Sequence, residues 1–304
     1  DMSWDKLVPD MTNFNNLVLA ASIFLFYAGM EMSAVHVKDV NDPGRNYPLA
    51  ILISAIITVV IFVLGTLAIG FIIPNSQINL VQSLLISYDN YFSFFGLGWM
   101  NWIMALALAV GVLAQVTAWV GGPSKGLYQV GLAGNLPPVM QKRNKNNVQE
   151  GILIIQGCIV TLLSIMFVIM PSVQSAYQII SQLTIILYLI MYMLMFASGI
   201  YLRYREPNTP RTFRIPGGKT FGMWVVGGLG FLASLAAFLV SFIPPNQITV
   251  GSNAMYIILL VVGAFIFAGI PFVIHAMAKP SWKRPVDPED AFEPFGWEKT
   301  NPNR

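Results

Sequence analysis

Long apolar segments, separated by short polar ones, follow one another along almost the whole chain. An α-helix needs about 20 residues to cross the hydrocarbon core of a bilayer, and six of the apolar segments reach that length. Each of the six is therefore predicted to be a transmembrane helix. They are residues 49–73, 99–120, 151–170, 177–202, 221–243 and 254–277.

A further apolar segment, 17–40, is interrupted near its middle. Its first part, Leu17 to Tyr27, has eleven residues and is too short to cross the membrane alone. Gly29 then offers a position free of backbone restriction, and a second short helix from Met32 to Val40 would complete the crossing. The pattern thus predicts seven crossings, of which the first is discontinuous.

Glu31 lies beside this interruption and is the one acidic residue inside apolar sequence. A charge at mid-membrane costs roughly 2.5 to 3.5 kcal/mol on insertion scales, which makes such a residue a functional candidate. The backbone groups near Gly29 and Met30 would also lack helical partners, and this is tolerated only where they face protein, water or a ligand. Secondary transporters build substrate sites from half-helices of this kind. The alternative is a merely kinked helix in which Glu31 caps the second segment.

The composition agrees with a membrane protein and excludes an ordinary soluble domain. AVILMFWYC residues make up 56% of the chain and charged residues 10%, whereas soluble domains average about 25% charged. The sequence shows no nucleophile paired with a base, no cluster of metal ligands and no nucleic-acid motif. We therefore expect no enzyme activity, no metal site, no cofactor and no nucleic-acid partner. The chain opens with Asp1, and we expect it to be an internal fragment.

The connecting segments predict where helices end. Proline and glycine should keep the turn 41–48 out of any helix, and the Gly-Gly-Pro sequence at 121–123 should close the span before it. Residues 78–91 combine helical periodicity with aromatic ends, which indicates a helix lying at the membrane interface. The proline-rich tail 279–304 is expected to be disordered.

Basic residues predict the orientation of the chain in the membrane. They occur in the turn at 38–45, in the loops at 142–145 and 203–219, and in the tail, whereas the intervening loops carry none. By the positive-inside rule, the basic segments are cytoplasmic. The leading segment is then outside and the tail inside, as an odd number of crossings requires.

Two pairs of side chains within the spans could face a cavity. Gln115 and Trp119 are four residues apart on one helix face, where a Trp can stack on a cationic amine and a Gln both donates and accepts hydrogen bonds. Tyr188 and Tyr192 have the same spacing, and a buried hydroxyl needs a partner. Alternatively, Trp119 is an interface anchor, Gln115 bonds to a neighbouring helix, and the tyrosines serve helix packing.

Several motifs resemble one transporter superfamily. The sequence FYAGMEMSA followed by NDPGRNYPLA resembles the sixth transmembrane helix and following loop of the amino acid/polyamine/organocation (APC) superfamily. AWVGGPSKGLYQVGLAGNLPP is similar to the eighth helix of that superfamily and its exit loop. RTFRIPGGK and SFIPPNQI resemble the glutamate/γ-aminobutyrate antiporter group within it.

This resemblance implies a fold and a division of the chain. The fold would be an all-α integral membrane protein with a partial LeuT-like arrangement, corresponding to helices six to twelve of twelve. The missing N-terminal helices would complete the substrate site. The implied divisions are an extracellular lead-in (1–16), the second inverted repeat with helices six to ten (17–202), helices eleven and twelve with the preceding loop (203–277), and a cytoplasmic tail (278–304).

The resemblance also assigns site residues. Glu31 is implied to be a proton-sensitive gate or coupling group. At Gln115, acid-resistance antiporters are expected to carry a carboxylate; since an amide cannot be switched by protonation, substrate charge preference or pH activation is expected to differ here. The residues implied in substrate binding or gating are Gly29, Met30, Glu31, Gln115, Trp119, Tyr188 and Tyr192.

The expected function is that of the C-terminal part of an amino acid antiporter in a bacterial inner membrane. The favoured exchange is glutamate for γ-aminobutyrate, linked to acid resistance, with membrane lipids and the missing helices as the other partners. The tail resembles the segment that plugs the inward cavity in such antiporters. One alternative is a proton-coupled symporter or exchanger for another amino acid, and a remote one is a non-transporting membrane subunit.

Overall fold

The structure of the protein is a computed structural model. It describes Asn16, Ile23 and the ranges 28–74, 78–79, 81–211, 213–217, 220–245 and 252–284. The lead-in 1–15, most of the first half of the broken helix and the tail from 285 lie outside the described residues, so the predictions for them stay predictions. All regular elements of the described residues are helical.

The described helices follow the apolar segments closely. A 3₁₀ helix, Met30–Asp39, comes first, and eight α-helices follow it. Three short helical turns, Gly131–Asn135, Pro138–Gln141 and Pro280–Trp282, complete the set. The α-helices are α1 (Pro43–Ile72), α2 (Ser83–Phe94), α3 (Met100–Val130), α4 (Glu150–Ser164), α5 (Met166–Ile169), α6 (Val173–Arg205), α7 (Phe221–Val240) and α8 (Asn253–Ala276).

Six helical segments of the described residues are long and apolar enough to cross a membrane. Two of them combine adjacent elements, α3 with the turn that follows it and α4 with α5. The six uninterrupted spans predicted from the sequence are thereby confirmed. Their ends are shifted by at most six residues, except that the second span ends at Asn135 instead of residue 120. The six are Pro43–Ile72, Met100–Asn135, Glu150–Ile169, Val173–Arg205, Phe221–Val240 and Asn253–Ala276.

The prediction that 41–48 is a helix-free turn is wrong, because α1 begins at Pro43. Proline is well tolerated at the first helical position, where its missing N–H would have had no partner in any case. Pro48 lies in the second turn and removes a single bond, to the carbonyl of Gly44. The corner before α1 is therefore confined to 40–42, where Asp42 takes a left-handed conformation with φ 46°.

The prediction that Gly-Gly-Pro closes its span is also wrong. α3 runs through Pro123 to Val130, and a turn of wider helix, Gly131–Asn135, extends it further. Pro123 costs one backbone bond, to the carbonyl of Trp119, which a helix of this length survives. The actual end comes at Gly134, whose φ of 92° suits glycine and few other residues.

Capping explains why α6 begins earlier than predicted. The Ser172 hydroxyl accepts a hydrogen bond from the backbone N–H of Ser175 at 3.1 Å, which is the usual role of serine at a helix start. The helix therefore begins at Val173 instead of Tyr177. The helix expected near 78–91 is also shifted and occupies Ser83–Phe94.

The core is centred on α6, which packs along both α7 and α8. Ile186 of α6 and Tyr256 and Leu260 of α8 are fully buried in one apolar cluster. On the α7 side the contact depends on glycine, since a Cβ atom at Gly230 would come within 2.5 Å of the Phe196 ring. Small residues let membrane helices approach closely, as expected for this Gly- and Ala-rich span.

The first residues of the tail are ordered, which corrects the expectation of disorder from 279. Pro280–Trp282 forms a single helical turn, and the Trp282 carbonyl accepts a hydrogen bond of 2.9 Å from Nε2 of Gln141. Gln141 is almost fully buried and its Nε2 also donates to the Leu136 carbonyl at 2.7 Å. Gly134 makes room for Lys283, whose Cβ would be 3.1 Å from an added Cβ.

Two glycines of α7 give a test of the α6–α7 contact. Gly230→Ala is expected to destabilise the protein by about 1–3 kcal/mol, because Phe196 has to move. Gly228→Ala is the matched control: only the Trp224 ring, at 4.0 Å, is near an added Cβ, so the higher helix propensity of alanine should leave stability equal or slightly higher. Thermal unfolding of the purified protein measures both. Equal destabilisation by the two variants would contradict the packing described.

Candidate functional site

The backbone makes a non-helical break at Gly29, directly before the helix that contains Glu31. Gly29 has φ 101° and ψ −5°, a left-handed conformation that glycine adopts without strain. The 3₁₀ helix starts directly after it, and the Met32 N–H bonds to the Gly29 carbonyl at 3.1 Å. The second segment of the predicted discontinuous helix is therefore present, at Met30–Asp39 instead of 32–40, whereas most of the first segment lies outside the described residues.

The Glu31 carboxylate holds this break in place. Its Oε2 accepts hydrogen bonds from the Gly29 backbone N–H at 3.1 Å and from the Tyr192 hydroxyl at 3.0 Å. The first bond caps the short helix, as the simpler sequence interpretation proposed, and the second reaches a helix 161 residues away. Oε1 is buried and has no donor among the described residues.

Three aromatic side chains form a wall beside the break. The Trp119 ring covers Gly29, where an added Cβ would come within 2.7 Å of it. Trp119 meets Tyr188 edge to face, with ring centroids 6.1 Å apart, and Tyr188 lies 5.8 Å from Tyr192. The four-residue spacing predicted that both tyrosines share one face of their helix, and the structure places that face against Glu31.

A second contact fits the 3₁₀ helix to α3. The methyl end of Met32 occupies the space where Gly122 lacks a side chain, 2.6 Å from the position of an added Cβ. Trp119 of α3 likewise occupies the space at Gly29. Each element therefore inserts one side chain at a glycine of the other. Gly122 serves close packing here instead of ending the helix.

A cavity of about 460 Å³ lies beside Glu31, between the 3₁₀ helix, α1, α6 and α7. Its walls are mostly apolar and no Lys or Arg is among the residues that line it. Near its edge, the Ser33 hydroxyl donates to the Met30 carbonyl at 2.8 Å and lies 3.0 Å from the Tyr47 hydroxyl. The lining residues are Met30, Glu31, Tyr47, Ile51, Tyr192, Met195, Phe196, Gly230, Ala233 and Ser234.

Six of the seven predicted site residues lie together and one lies apart. Gln115 is exposed, does not line the cavity, and its side chain makes no hydrogen bond among the described residues. Sequence reasoning missed Tyr47, because it lies in the segment taken for a helix-free turn. It also missed Ser234, which is 3% exposed. The signal that the sequence offered was a serine within an Ala- and Gly-rich span.

Comparison with known proteins identifies the group to which the chain is related. The sequence profile described as "Amino acid permease" matches residues 1–265, which is most of the chain. The chain belongs to the amino acid permease family. Members of this family and the relatives that match this chain are transporters, not enzymes. The six spans are those of a multi-pass membrane protein.

Individual relatives are named as transporters or antiporters. The chain is 36% identical to an uncharacterized transporter of Legionella pneumophila over 266 residues, covering 88% of this chain and 57% of the relative. It is 32% identical to a glutamate/gamma-aminobutyrate antiporter of Lactococcus lactis over 273 residues, covering 89% and 54%. A probable agmatine/putrescine antiporter of the same species is 21% identical over 70% of the chain. The chain thus spans about half the length of the curated relatives it matches.

The bond between Tyr192 and Glu31 can be tested by removing one hydroxyl. Tyr192→Phe is expected to destabilise the protein by about 1.5–3 kcal/mol, because a hydrogen bond to a charged group is lost at a half-buried site. Tyr188→Phe is the control, since it keeps the ring contacts and removes a hydroxyl that does not bond to Glu31. Thermal unfolding distinguishes them, and a Tyr188→Phe effect as large as that of Tyr192→Phe would contradict the assignment.

The break itself can be tested at Gly29. Gly29→Ala is expected to cost about 1–3 kcal/mol from the left-handed backbone alone, and more because of the Trp119 ring. Gly121→Ala, where an added Cβ has nothing within 4 Å, should change stability little. Adding Trp119→Phe should recover the part due to the ring, so the two effects should not be additive. Additive losses in the unfolding measurements would show that the ring contact is not made.

Proposed function

We propose that this permease is the C-terminal part of an amino acid antiporter that exchanges glutamate for γ-aminobutyrate by alternating access. The substrate would bind beside the broken helix, and the N-terminal helices of the same protein would complete the site. The bacterial inner membrane is the proposed location, with the tail in the cytoplasm and a role in acid resistance. The residues proposed for binding or gating are Gly29, Met30, Glu31, Gln115, Trp119, Tyr188 and Tyr192.

The observation that carries this proposal is the convergence of three elements on Gly29. A carboxylate, a left-handed glycine and an aromatic wall meet at the break, and a broken helix near the midplane is where secondary transporters bind substrate. The aromatic faces can bind an ammonium group, and backbone N–H groups at the start of the 3₁₀ helix can donate hydrogen bonds to a carboxylate. An amino acid carries both groups.

The name of the Lactococcus lactis relatives supports the choice of exchange pair. At 32% identity the similarity supports the transporter group more strongly than it supports the substrate, because the choice of substrate depends on individual side chains. The alternative is a proton-coupled symporter or exchanger for another amino acid. Gln115 bears on this choice. A carboxylate at that position could change the charge preference for substrate when it takes up a proton, whereas the amide of Gln115 cannot.

Counterflow in proteoliposomes tests the exchange. The full-length protein should take up labelled glutamate when the vesicles are preloaded with γ-aminobutyrate, and should take up almost none into empty vesicles. Uptake into empty vesicles driven by an inward proton gradient would favour the symporter. A panel of other preloaded amino acids identifies the pair if neither of these two substrates exchanges.

Exchange is expected to depend on pH through Glu31. In Glu31→Gln the rate should vary little between acidic and neutral pH, because the amide cannot gain or lose a proton. Glu150→Gln is the matched control, since Glu150 is an exposed carboxylate at the start of α4 and is not near the cavity. If Glu31→Gln keeps the pH profile of the unaltered protein, Glu31 is not the coupling group.

A further inference from the structure

A groove of about 550 Å³ lies between α6 and α7, away from the candidate substrate site. It is lined by Ile200 of α6 and by side chains of α7 between Trp224 and Leu232, and its walls are almost entirely apolar. The groove shares no residue with the cavity beside Glu31. Leu232 is 62% exposed, as expected of a side chain that faces lipid in a membrane span.

The groove follows α7 through most of the depth of one leaflet. Trp224 and Leu232 are eight positions apart, which corresponds to about 12 Å along an α-helix. Half of the hydrocarbon core of a bilayer is about 15 Å thick. Gly228 lines the middle of this stretch and contributes no side chain there. The length and the apolar walls of the groove therefore suit one acyl chain of a lipid.

Polar groups lie at the end of the groove nearest the basic loop 203–219. The indole N–H of Trp224 donates a hydrogen bond of 2.7 Å to the hydroxyl of Tyr204, and both side chains are exposed. The Tyr204 hydroxyl keeps its own proton, which has no acceptor among the described residues. Tryptophan and tyrosine are enriched at the level of the lipid headgroups. The apolar groove therefore ends at headgroup level, beside a hydroxyl that can donate a hydrogen bond.

Two arginines in the last turn of α6, Arg203 and Arg205, precede and follow Tyr204 directly. Nη1 of Arg205 donates to the Tyr201 hydroxyl at 3.3 Å, which holds the guanidinium beside this turn without neutralising its charge. Neither arginine forms an ion pair within the described part of the chain. Two uncompensated positive charges thus accompany the hydroxyl at the end of the groove.

The structural role that arginines often have at a helix end is taken here by another residue. Arg211, in the motif RTFRIPGGK, donates from Nη2 to the carbonyls of Leu202 at 3.2 Å and Glu206 at 2.8 Å. These are the carbonyls that the end of α6 leaves without helical partners. Since Arg211 binds them, Arg203 and Arg205 remain available for a ligand.

We propose that the groove and these polar groups form a binding site for an anionic phospholipid. One acyl chain lies along α7, and the phosphate accepts hydrogen bonds from Tyr204, Arg203 and Arg205. Guanidinium groups suit phosphate oxygens in geometry and charge, and basic pockets between membrane helices bind anionic headgroups. A zwitterionic lipid carries the same phosphate but brings a cation next to the arginines, so it binds more weakly.

Native mass spectrometry of the full-length protein tests the site. The protein is released from a neutral detergent and titrated with phosphatidylglycerol or with phosphatidylcholine of the same acyl chains. Phosphatidylglycerol should bind at least about fivefold more tightly, because one arginine near a lipid surface contributes about that factor. The preference should decrease as the ammonium acetate concentration is raised. Equal binding of the two lipids at low salt would overturn the proposal.

Soluble phosphates separate a lipid site from a simple anion site. Inorganic phosphate and glycerol phosphate, which lack an acyl chain, should not compete with phosphatidylglycerol. Competition by either of them would show that the groove contributes nothing and would overturn the lipid assignment. No substrate is present in these measurements, so their outcome does not depend on whether the protein exchanges glutamate for γ-aminobutyrate.

Charge variants test the position of the headgroup. Arg203→Gln and Arg205→Gln should each weaken phosphatidylglycerol binding about fivefold and leave phosphatidylcholine binding unchanged. Arg284→Gln is the matched control, because Arg284 is exposed and follows the turn Pro280–Trp282, which packs against Gly131–Asn135. Equal losses in all three variants would show that the preference reflects overall charge, and the site would be refuted.

Two further variants test the position of the acyl chain. Gly228→Leu fills the groove from its middle and should weaken phosphatidylglycerol binding at least fivefold. Ala236→Leu is the control on the same helix, because Ala236 is exposed and does not line the groove. Thermal unfolding without lipid shows whether each variant is folded, and Leu232→Trp fills the groove from an exposed position if Gly228→Leu is not. Binding by the filled variants equal to that of Ala236→Leu would exclude the groove.

Discussion

A carboxylate inside an apolar helix has to find hydrogen-bond donors, and the arrangement around Glu31 follows from this requirement. One donor is the backbone N–H of Gly29, the non-helical residue directly before the 3₁₀ helix. The other is the hydroxyl of Tyr192, from a helix distant in sequence. The conformation at Gly29 and the approach of α6 thus each supply one of the two donors to the carboxylate. A continuous helix would have used the Gly29 N–H internally and left the carboxylate with one donor fewer.

Close packing stabilises the same region where hydrogen bonds do not. In lipid the hydrophobic effect does not drive helices together, so close packing and small residues carry the association. Gly29 and Gly122 each receive a side chain from the other element, and Gly230 receives Phe196. The position of the carboxylate relative to the aromatic wall is therefore set by contacts in which a single methyl group matters.

The transmembrane spans were predicted well from the sequence because each one is a long, continuous apolar segment. A run of twenty apolar residues is typical of a membrane span and of few other structures. A proline such as Pro43 or Pro123, by contrast, can begin, bend or end a helix according to its position in it. The site was partly predictable for a similar reason. Tyr188 and Tyr192 share a face by helical spacing, but the same rule placed Gln115 with Trp119, and only Trp119 reaches the break. Which helix a face meets depends on packing, and packing was not readable from the spacing.

The bond between Gln141 and the Trp282 carbonyl has a consequence for the end of the chain. It fixes the point from which the residues after Arg284 depart, close to the end of the helix that carries Trp119. A segment attached at a fixed point is present near that point at a high local concentration, which for short flexible tethers is in the millimolar range. Even a weak affinity of these residues for a nearby surface would therefore give substantial occupancy.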